Sequence, residues 1–321
     1  MRAGASVPTR DRLRDWIAYA SRRLAAEHLA FGHGTLDARE EAVWLLAHVL
    51  RLPFEKLDAA LERELTAAEK RAALRLIEAR ISTRKPLAYL LREAWLRGRR
   101  FYVDERVIVP RSFIAELLPD GLEPWGVRAG SVKRVLDMCT GSGCLAILAA
   151  QAYPRARVTG VDISKSALAV ARKNVALYRL GRRIALVQSD LFSNVEPKTF
   201  DLILANPPYV AAGAMRRLPV EYRHEPRIAL AGGEDGLEAV DVLLRQAARF
   251  LLTEGLLVVE IGHNRRSLER KYPTFPFTWL STTTAGDDMV FLMTREELEA
   301  AATNRRATRS CPRLMQHKTS G

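Results

Sequence analysis

The sequence of 321 residues is 48% hydrophobic and has a formal net charge of +13, from 50 Lys and Arg against 37 Asp and Glu. This length predicts one large domain or two smaller ones with a substantial core, and no apolar run approaches the roughly 18 residues that span a membrane. The positive charge favours a polyanionic partner or neighbour; the alternative is an Arg-rich composition with scattered, solvated charges.

The N-terminal residues and the cysteines indicate the compartment. Residues 1–16 mix Arg with Asp and lack an apolar segment, so they do not predict a signal peptide. Cys139, Cys144 and Cys311 provide neither a disulfide framework nor the spacing of metal ligands. The sequence therefore predicts a cytoplasmic protein with no bound metal.

Residues 1–91 are predicted to form a helical domain. Apolar residues recur at helical spacing in three segments, at Leu13-Ile17-Ala20-Leu24, Ala42-Leu45-Leu46-Val49 and Ala73-Leu76-Ile77-Ile81. Thr66 and Glu69 predict a capping box at the start of the third helix. Phe31-Gly32-His33-Gly34-Thr35 predicts a turn, and His33 is interpreted as a loop residue because no second His or Cys lies near it in sequence. This domain has no catalytic constellation of its own.

Residues 92–110 predict a hairpin linker, because short apolar groups flank Gly98. Residues 111–299 are predicted to form one α/β domain. From Lys133, strands alternate with helices, which predicts a mostly parallel sheet covered on both faces. The predicted strands are 134–139, 157–161, 184–188, 201–205, 256–261, 277–281 and 289–293, the last two paired antiparallel, and the predicted helices are 144–153, 164–179, 235–253 and a weaker one after 264. Residues 300–321 are basic and predict a disordered tail.

The candidate chemistry lies in Asn206-Pro207-Pro208-Tyr209, directly after the predicted strand 201–205. Each proline fixes φ and removes a backbone donor, which makes the segment stiff. The Asn206 amide, the exposed carbonyls and the Tyr209 ring suit a planar substrate with an NH2 group, because oxygens can accept its two hydrogens while the ring packs on its face. A strand-ending turn without function is the alternative interpretation of this motif alone.

Three other predicted strands also end in polar or glycine residues. The turn Asp137–Gly143 allows close backbone approach to a ligand at a helix N-terminus, although Ala146 replaces the third glycine of the dinucleotide fingerprint. Asp162 is placed to bind two ribose hydroxyls, and Asp190 to accept from an adenine amino group. Each acid can alternatively cap a helix. All four features are expected to face one crevice at the carboxyl edge of the sheet.

The ordered set from Asp137 to Tyr209 resembles the S-adenosylmethionine-dependent class I methyltransferases that methylate amide or amino nitrogens, which implies a seven-stranded Rossmann-like sheet. Together with Glu225-Pro226-Arg227 and Gly232-Gly233-Glu234-Asp235-Gly236, Asn206–Tyr209 is similar to the protein-glutamine N(5)-methyltransferases. Four motifs resemble the branch that modifies the third large-subunit ribosomal protein. They are Phe31–Thr35, Arg92–Trp95, Val109–Ser112 and Asp137–Cys144. The release-factor branch usually has glycine in place of Cys139.

The resemblance covers about residues 13 to 295. It implies S-adenosyl-L-methionine as cofactor, contacted by Thr140, Gly141, Gly143, Asp162, Asp190 and Leu191. It implies that the substrate amide is bound by Asn206, Pro207, Pro208 and Tyr209, with Asn206, Pro207 and Tyr209 as the catalytic residues. The implied substrate is a glutamine of the ribosomal protein, free or in an assembly intermediate with ribosomal RNA nearby. The helical domain of residues 1–91 is hypothesised to recognise this protein substrate.

Several alternatives stay open. Release factors are the nearest alternative substrate, and a nucleic-acid adenine is another, although it requires base flipping and a target-recognition domain. A non-catalytic ribosome-associated protein is the third. Residues 210–231 are long for a loop and are predicted either to close over the substrate or to be disordered. Glu260 and His263 are interpreted as structural.

Overall fold

The computed structural model describes residue 8 and residues 11–118, 120–196, 200–284 and 286–310, with the backbone alone described for residues 304–310. Four helices form the N-terminal domain: α1 Leu13–Ala26, α2 Ala38–Leu50, α3 Ala67–Thr83 and α4 Leu87–Leu91. The predicted capping box of α3 is confirmed, because the Glu69 amide donates to Thr66 Oγ1 and the Thr66 amide donates to Glu69 Oε2. Asp37 caps α2 by accepting from the backbone amides of Arg39 and Glu40.

The linker contains the hairpin that the sequence predicts. Strand β1, Ala94–Leu96, pairs antiparallel with β2, Arg99–Phe101. Buried Val107 and Val109 of the linker share one hydrophobic cluster with the N-terminal helices and with Ala167 and Val170 of the next domain. The helical domain is therefore packed onto the α/β domain through a continuous core rather than tethered by a linker.

A seven-stranded sheet with the strand order β5-β4-β3-β6-β7-β9-β8 forms the second domain, which confirms the predicted fold class. The five strands β3 to β7 run parallel, while β9 is antiparallel to both β7 and β8. Their ranges are β3 Arg134–Met138, β4 Arg157–Asp162, β5 Ile184–Gln188, β6 Phe200–Ala205, β7 Leu251–Glu260, β8 Thr278–Thr282 and β9 Gly286–Thr294. Strand order reverses at β3, so the carboxyl ends of β3, β4 and β6 border one crevice.

The other helices of this domain lie between the strands or after them in the chain. They are α5 Cys144–Ala152, α6 Lys165–Leu177, α7 Ala212–Met215, α8 Glu238–Gln246, α9 Arg265–Lys271 and α10 Arg295–Ser310. None of the helices that the structure describes is both long and apolar enough to cross a bilayer.

Two predicted boundaries in this domain are wrong. The helix predicted over 235–253 ends at Gln246, because Phe250 stacks on Phe192 and Leu251 already pairs with Phe200 as the start of β7. The tail predicted to be disordered from residue 300 is helical as far as Ser310. Thr294 and Glu297 form a capping box that begins α10, and Leu298 and Ala301 are buried. Residues 311–321 of that predicted tail lie outside the described residues.

Candidate active site

A cavity of about 650 Å³ lies at the carboxyl ends of the parallel strands. This volume is in the range of small-molecule and cofactor sites, which is roughly 300–1,000 Å³. Eight of the sequence-predicted site residues line it: Gly141, Asp162, Asp190, Leu191, Asn206, Pro207, Pro208 and Tyr209. The structure thus brings together the ends of β3, β4, β5 and β6 in one crevice, as the sequence predicts.

Asp162 is the last residue of β4 and lies at the cavity. Its two carboxylate oxygens accept backbone hydrogen bonds of 2.8 Å, one from the Gly141 amide and one from the Ser164 amide. Burial raises the pKa of the Asp162 carboxyl above its ordinary value. An ionised carboxylate has about four acceptor positions, so a position on each oxygen is left for a further donor. Asp162 therefore serves as a helix cap and can also bind two hydroxyls.

Thr140 and Gly143 are not among the residues that line the cavity. The Thr140 hydroxyl donates to Asp137 Oδ2 at 2.5 Å, and the Ala146 amide donates to the same oxygen at 2.9 Å. Burial raises the pKa of the Asp137 carboxyl to about 7. Gly143 packs on Ala171 of α6, which a Cβ at Gly143 would approach to 3.2 Å. Both residues thus shape the turn between β3 and α5 from behind the cavity surface.

Asn206 projects from the end of β6 at a half-buried position. Its side chain forms no hydrogen bond with another residue in the described part of the chain, which leaves its oxygen available to a ligand. Behind it, the Tyr209 carbonyl accepts from Asn264 Nδ2 at 2.7 Å. Gly262, at φ +54°, lies flat against the Tyr209 ring, because a Cβ there would stand 2.7 Å from a ring carbon. These contacts fix the ring of Tyr209 at the cavity surface.

Glu260 and His263, both interpreted from sequence as structural, lie in different environments. Glu260 is fully buried at the end of β7 and accepts from Ser112 Oγ at 2.6 Å and from the Phe113 amide at 2.9 Å. Burial raises the pKa of Glu260 to about 7. His263 is exposed and lies on the rim of the cavity. Three or more potential metal ligands do not cluster anywhere in the described residues.

Several cavity residues were not assigned a role from the sequence. They include Arg106, Ile108, Arg111, Ile163, Tyr222 and Ile228. Arg111 belongs to the motif Val109–Ser112, and Tyr222 lies in the long loop of residues 210–231. The sequence contains no signal that these two residues lie together at the cavity, because their positions depend on the ion pair between Arg111 and the distant Glu225.

Comparison with known proteins shows which families the chain matches. Residues 15–91 match the PrmC N-terminal domain family, and residues 122–221 match the Methyltransferase small domain family. A ribosomal protein uL3 glutamine methyltransferase of Burkholderia pseudomallei is 50% identical over 297 residues, which cover 90% of this chain and 96% of that protein. Enzymes of the same description from Bordetella pertussis and Neisseria gonorrhoeae are each 51% identical over 286 residues, covering 89% of this chain and 96% and 95% of theirs.

The chain belongs to the ribosomal protein uL3 glutamine methyltransferases. The family resemblance stated from the sequence motifs is thereby confirmed. The family uses S-adenosylmethionine, and the residues of the cavity fit that group. Asp162 offers acceptors for ribose hydroxyls, Gly141 leaves the backbone open, and the exposed Asp190 carboxylate borders the cavity beside Leu191.

Proposed function

We propose that this protein methylates the side-chain amide nitrogen of a glutamine in ribosomal protein uL3, with S-adenosylmethionine as methyl donor. The observation that carries the proposal is the unpaired Asn206 amide beside the fixed Tyr209 ring, in the same cavity as the Asp162 carboxylate. An enzyme of this description in Burkholderia pseudomallei is 50% identical and matches almost end to end.

S-adenosylmethionine supplies an electrophilic methyl group on a sulfonium. In our proposal Asp162, Gly141, Asp190 and Leu191 hold it at the ends of β3, β4 and β5. Thr140 and Gly143 keep the intervening turn in shape, since Thr140 braces Asp137 and Gly143 packs on α6.

An amide nitrogen is a poor nucleophile because its lone pair is delocalised into the carbonyl. The Asn206 oxygen and the Pro207 carbonyl accept the two N–H hydrogens, which orients the nitrogen and stabilises the positive charge that grows on it. The Tyr209 ring packs on the amide face. The methylated nitrogen is acidic and loses its proton late, so no strong base is required early in the reaction.

The helical domain is proposed to contribute to recognition of the protein substrate. The net charge of +13 supports a site of action close to ribosomal RNA, with uL3 free or in an assembly intermediate. Cys139 and Cys144 are free thiols, which fits a cytoplasmic protein.

Incubation with methyl-labelled cofactor tests the proposal. Equimolar uL3, peptide release factors and ribosomal RNA are offered separately and in competition, with the Asn206→Ala variant as control. We expect label on uL3 alone, and none with the variant. Preferential labelling of release factors would contradict the choice of substrate, and labelling of RNA would contradict the substrate class.

A further inference from the structure

Residues 210–231, here called the wall, are an ordered part of the cavity. Their two ends are joined, because the Val210 amide donates to the Leu230 carbonyl at 2.8 Å and the Gly232 amide donates back to the Val210 carbonyl at 2.9 Å. Between these ends lie α7 and two 3₁₀ turns, Val220–His224 and Arg227–Ala229. The side chains of Tyr222 and Ile228 line the cavity. The wall is thus a closed loop with an inner face toward the ligand.

Glu225 joins the wall to the linker. Its buried carboxylate accepts both guanidinium arms of Arg111, at 2.6 and 2.7 Å, and the Val109 amide at 3.0 Å. The Arg111 guanidinium lies 5.4 Å from the centre of the Tyr222 ring and lines the cavity. A bidentate pair fixes a planar guanidinium in direction as well as in place. Glu225 therefore determines how Arg111 faces the ligand.

Glu221 joins the wall to the helical domain. Its fully buried Oε1 forms an ion pair with Arg84 Nη2 at 2.6 Å, accepts from the Ala30 amide at 3.1 Å, and lies 3.9 Å from Arg80 Nη1. Arg80 is in turn paired with Glu41 at 2.6 Å, inside the helical domain. A displacement of the helical domain would therefore displace the wall.

The turn Phe31–Thr35 completes this attachment. The His33 ring lies against the Tyr222 ring, with 4.3 Å between their centres. Gly32 has φ +108°, which favours glycine, and a Cβ there would stand 2.8 Å from the Tyr222 hydroxyl oxygen. The motif Phe31–Thr35, one of the four that resemble the uL3 branch, thus packs against Tyr222, a side chain of the cavity.

Stability alone does not account for these contacts. Buried ion pairs are costly to desolvate and are often replaceable by apolar side chains without loss of stability. Five buried polar atoms at this interface have no hydrogen-bond partner among the described residues: His33 Nδ1, His33 Nε2, Arg80 Nη1, Arg84 Nε and Glu221 Oε2. A buried polar atom without a hydrogen-bond partner is destabilising. What the charged contacts do provide is a defined position for the wall.

We propose that Glu221 and Glu225 are positioning residues for the protein substrate, acting through the wall and Arg111. The wall follows β6 and Asn206–Tyr209, and Arg111 precedes Ser112, which is bonded to Glu260 on β7. The acids on the cofactor side end β4 and β5, which are separated from β7 by β3 and β6. The wall is therefore on the substrate side of the cavity. This inference rests on the proposed methylation of uL3.

Three variants of the full chain test it: Glu225→Gln, Glu221→Gln and the charge-conserving Arg111→Lys. Glu93→Gln is the matched control, because Glu93 is also mostly buried but bonds to Trp44 and Trp95 away from the wall. Cofactor affinity is measured by calorimetry, and kcat and KM are measured with uL3. We expect unchanged cofactor affinity in all four variants. In Glu225→Gln, Glu221→Gln and Arg111→Lys, called the wall variants because each alters an ion pair that holds the wall, kcat/KM falls by about tenfold to a hundredfold, since a displacement of about 1 Å can cost about a hundredfold. The control retains kcat/KM.

The double variant Arg111→Gln/Glu225→Gln separates positioning from folding. It removes the buried charge that Glu225→Gln leaves uncompensated, so its thermal midpoint should recover toward wild type while kcat/KM for uL3 stays low. Recovery of kcat/KM in the double variant would overturn the positioning role, as would a parallel loss of cofactor affinity or unchanged kinetics in folded wall variants. Turnover of uL3 by the wild-type enzyme is the reference. If the wild-type enzyme does not turn over uL3, the proposed function is contradicted. If the wild type turns over uL3 and the wall variants keep its kcat/KM, only the positioning role is contradicted.

Discussion

The cofactor end of the cavity and the wall both depend on buried carboxylates, but the carboxylates are held differently. Asp162 accepts backbone hydrogen bonds from residues 2 and 21 positions away, and Asp137 accepts from residues 3 and 9 positions away. Glu225 is held by Arg111, 114 positions earlier, and Glu221 by the backbone of Ala30, 191 positions earlier. The cofactor end is therefore assembled within one βαβαβ stretch, whereas the wall forms only once three distant segments have docked.

The difference has a functional consequence. A site built from neighbouring strand ends can bind its ligand independently of the helical domain. The wall, in contrast, transmits the position of that domain to the substrate side of the cavity. We expect variants at the two ends to separate cofactor binding from methyl transfer.

Asn206→Ala should have the largest effect on the chemical step. Loss of the oxygen that accepts from the substrate N–H should lower the single-turnover rate by about 10²-fold or more, as for other transition-state polar contacts. Calorimetry should show unchanged cofactor affinity, because Asn206 is at the end of β6 and not at the cofactor acids. A normal transfer rate would contradict the amide-binding role.

Asp162→Ala should act at the other end. Each lost hydrogen bond to a charged group costs about 1.5–3 kcal/mol, so cofactor affinity should fall by about tenfold or more. Asp162→Asn keeps one acceptor oxygen and should show a smaller loss. With saturating cofactor, the single-turnover rate should remain closer to wild type than that of Asn206→Ala. Unchanged affinity would mean that Asp162 only caps Gly141 and Ser164.

The last prediction concerns the pH dependence of stability, which has the opposite sign in the two regions. Burial lowers the pKa of His33, at the wall, from 6.5 to about 4, whereas it raises that of Asp137 from 3.8 to about 7. Between pH 6.5 and 4 the unfolded chain binds a proton at His33 that the folded chain does not, so this contribution to stability is lost as pH falls. At Asp137 the folded chain holds the proton between pH 3.8 and 7, so that contribution is lost as pH rises.

Urea unfolding of wild type and His33→Gln at several pH values isolates the His33 contribution. The stability of wild type relative to the variant should decrease as pH falls from 6.5 to 4, and should stay constant above 6.5. A difference that does not depend on pH would show that His33 titrates normally in the folded protein.

The meeting of four strand ends at one cavity was predictable because its signals are local. A glycine turn after β3, acids after β4 and β5, and Asn206-Pro207 after β6 each follow a recognisable strand, and parallel strands bring their ends together. Even there, the sequence could not distinguish a residue that lines the cavity from one that supports it. Gly141 and Gly143 stand two positions apart, yet one borders the cavity and the other packs on α6.

The wall was not predictable to the same degree. Its length suggested a closing loop or disorder, because nothing in one sequence pairs Glu225 with Arg111 or Glu221 with Arg84. The wrong end of α8 and the missed start of α10 have local causes. The stacking of Phe250 on Phe192 overrides helical spacing after Gln246, and the capping box at Thr294 lies just before a segment whose basic composition favoured disorder.

The central claim, methyl transfer to a glutamine side chain of uL3, is tested most directly by mass spectrometry of uL3 after incubation with the enzyme and methyl-labelled cofactor. We predict one methyl group on the side-chain nitrogen of a single glutamine, absent when Asn206→Ala replaces the wild-type enzyme. A methyl group on any other residue type of uL3, or unmodified uL3 with an active wild-type enzyme that labels release factors or RNA instead, would contradict it.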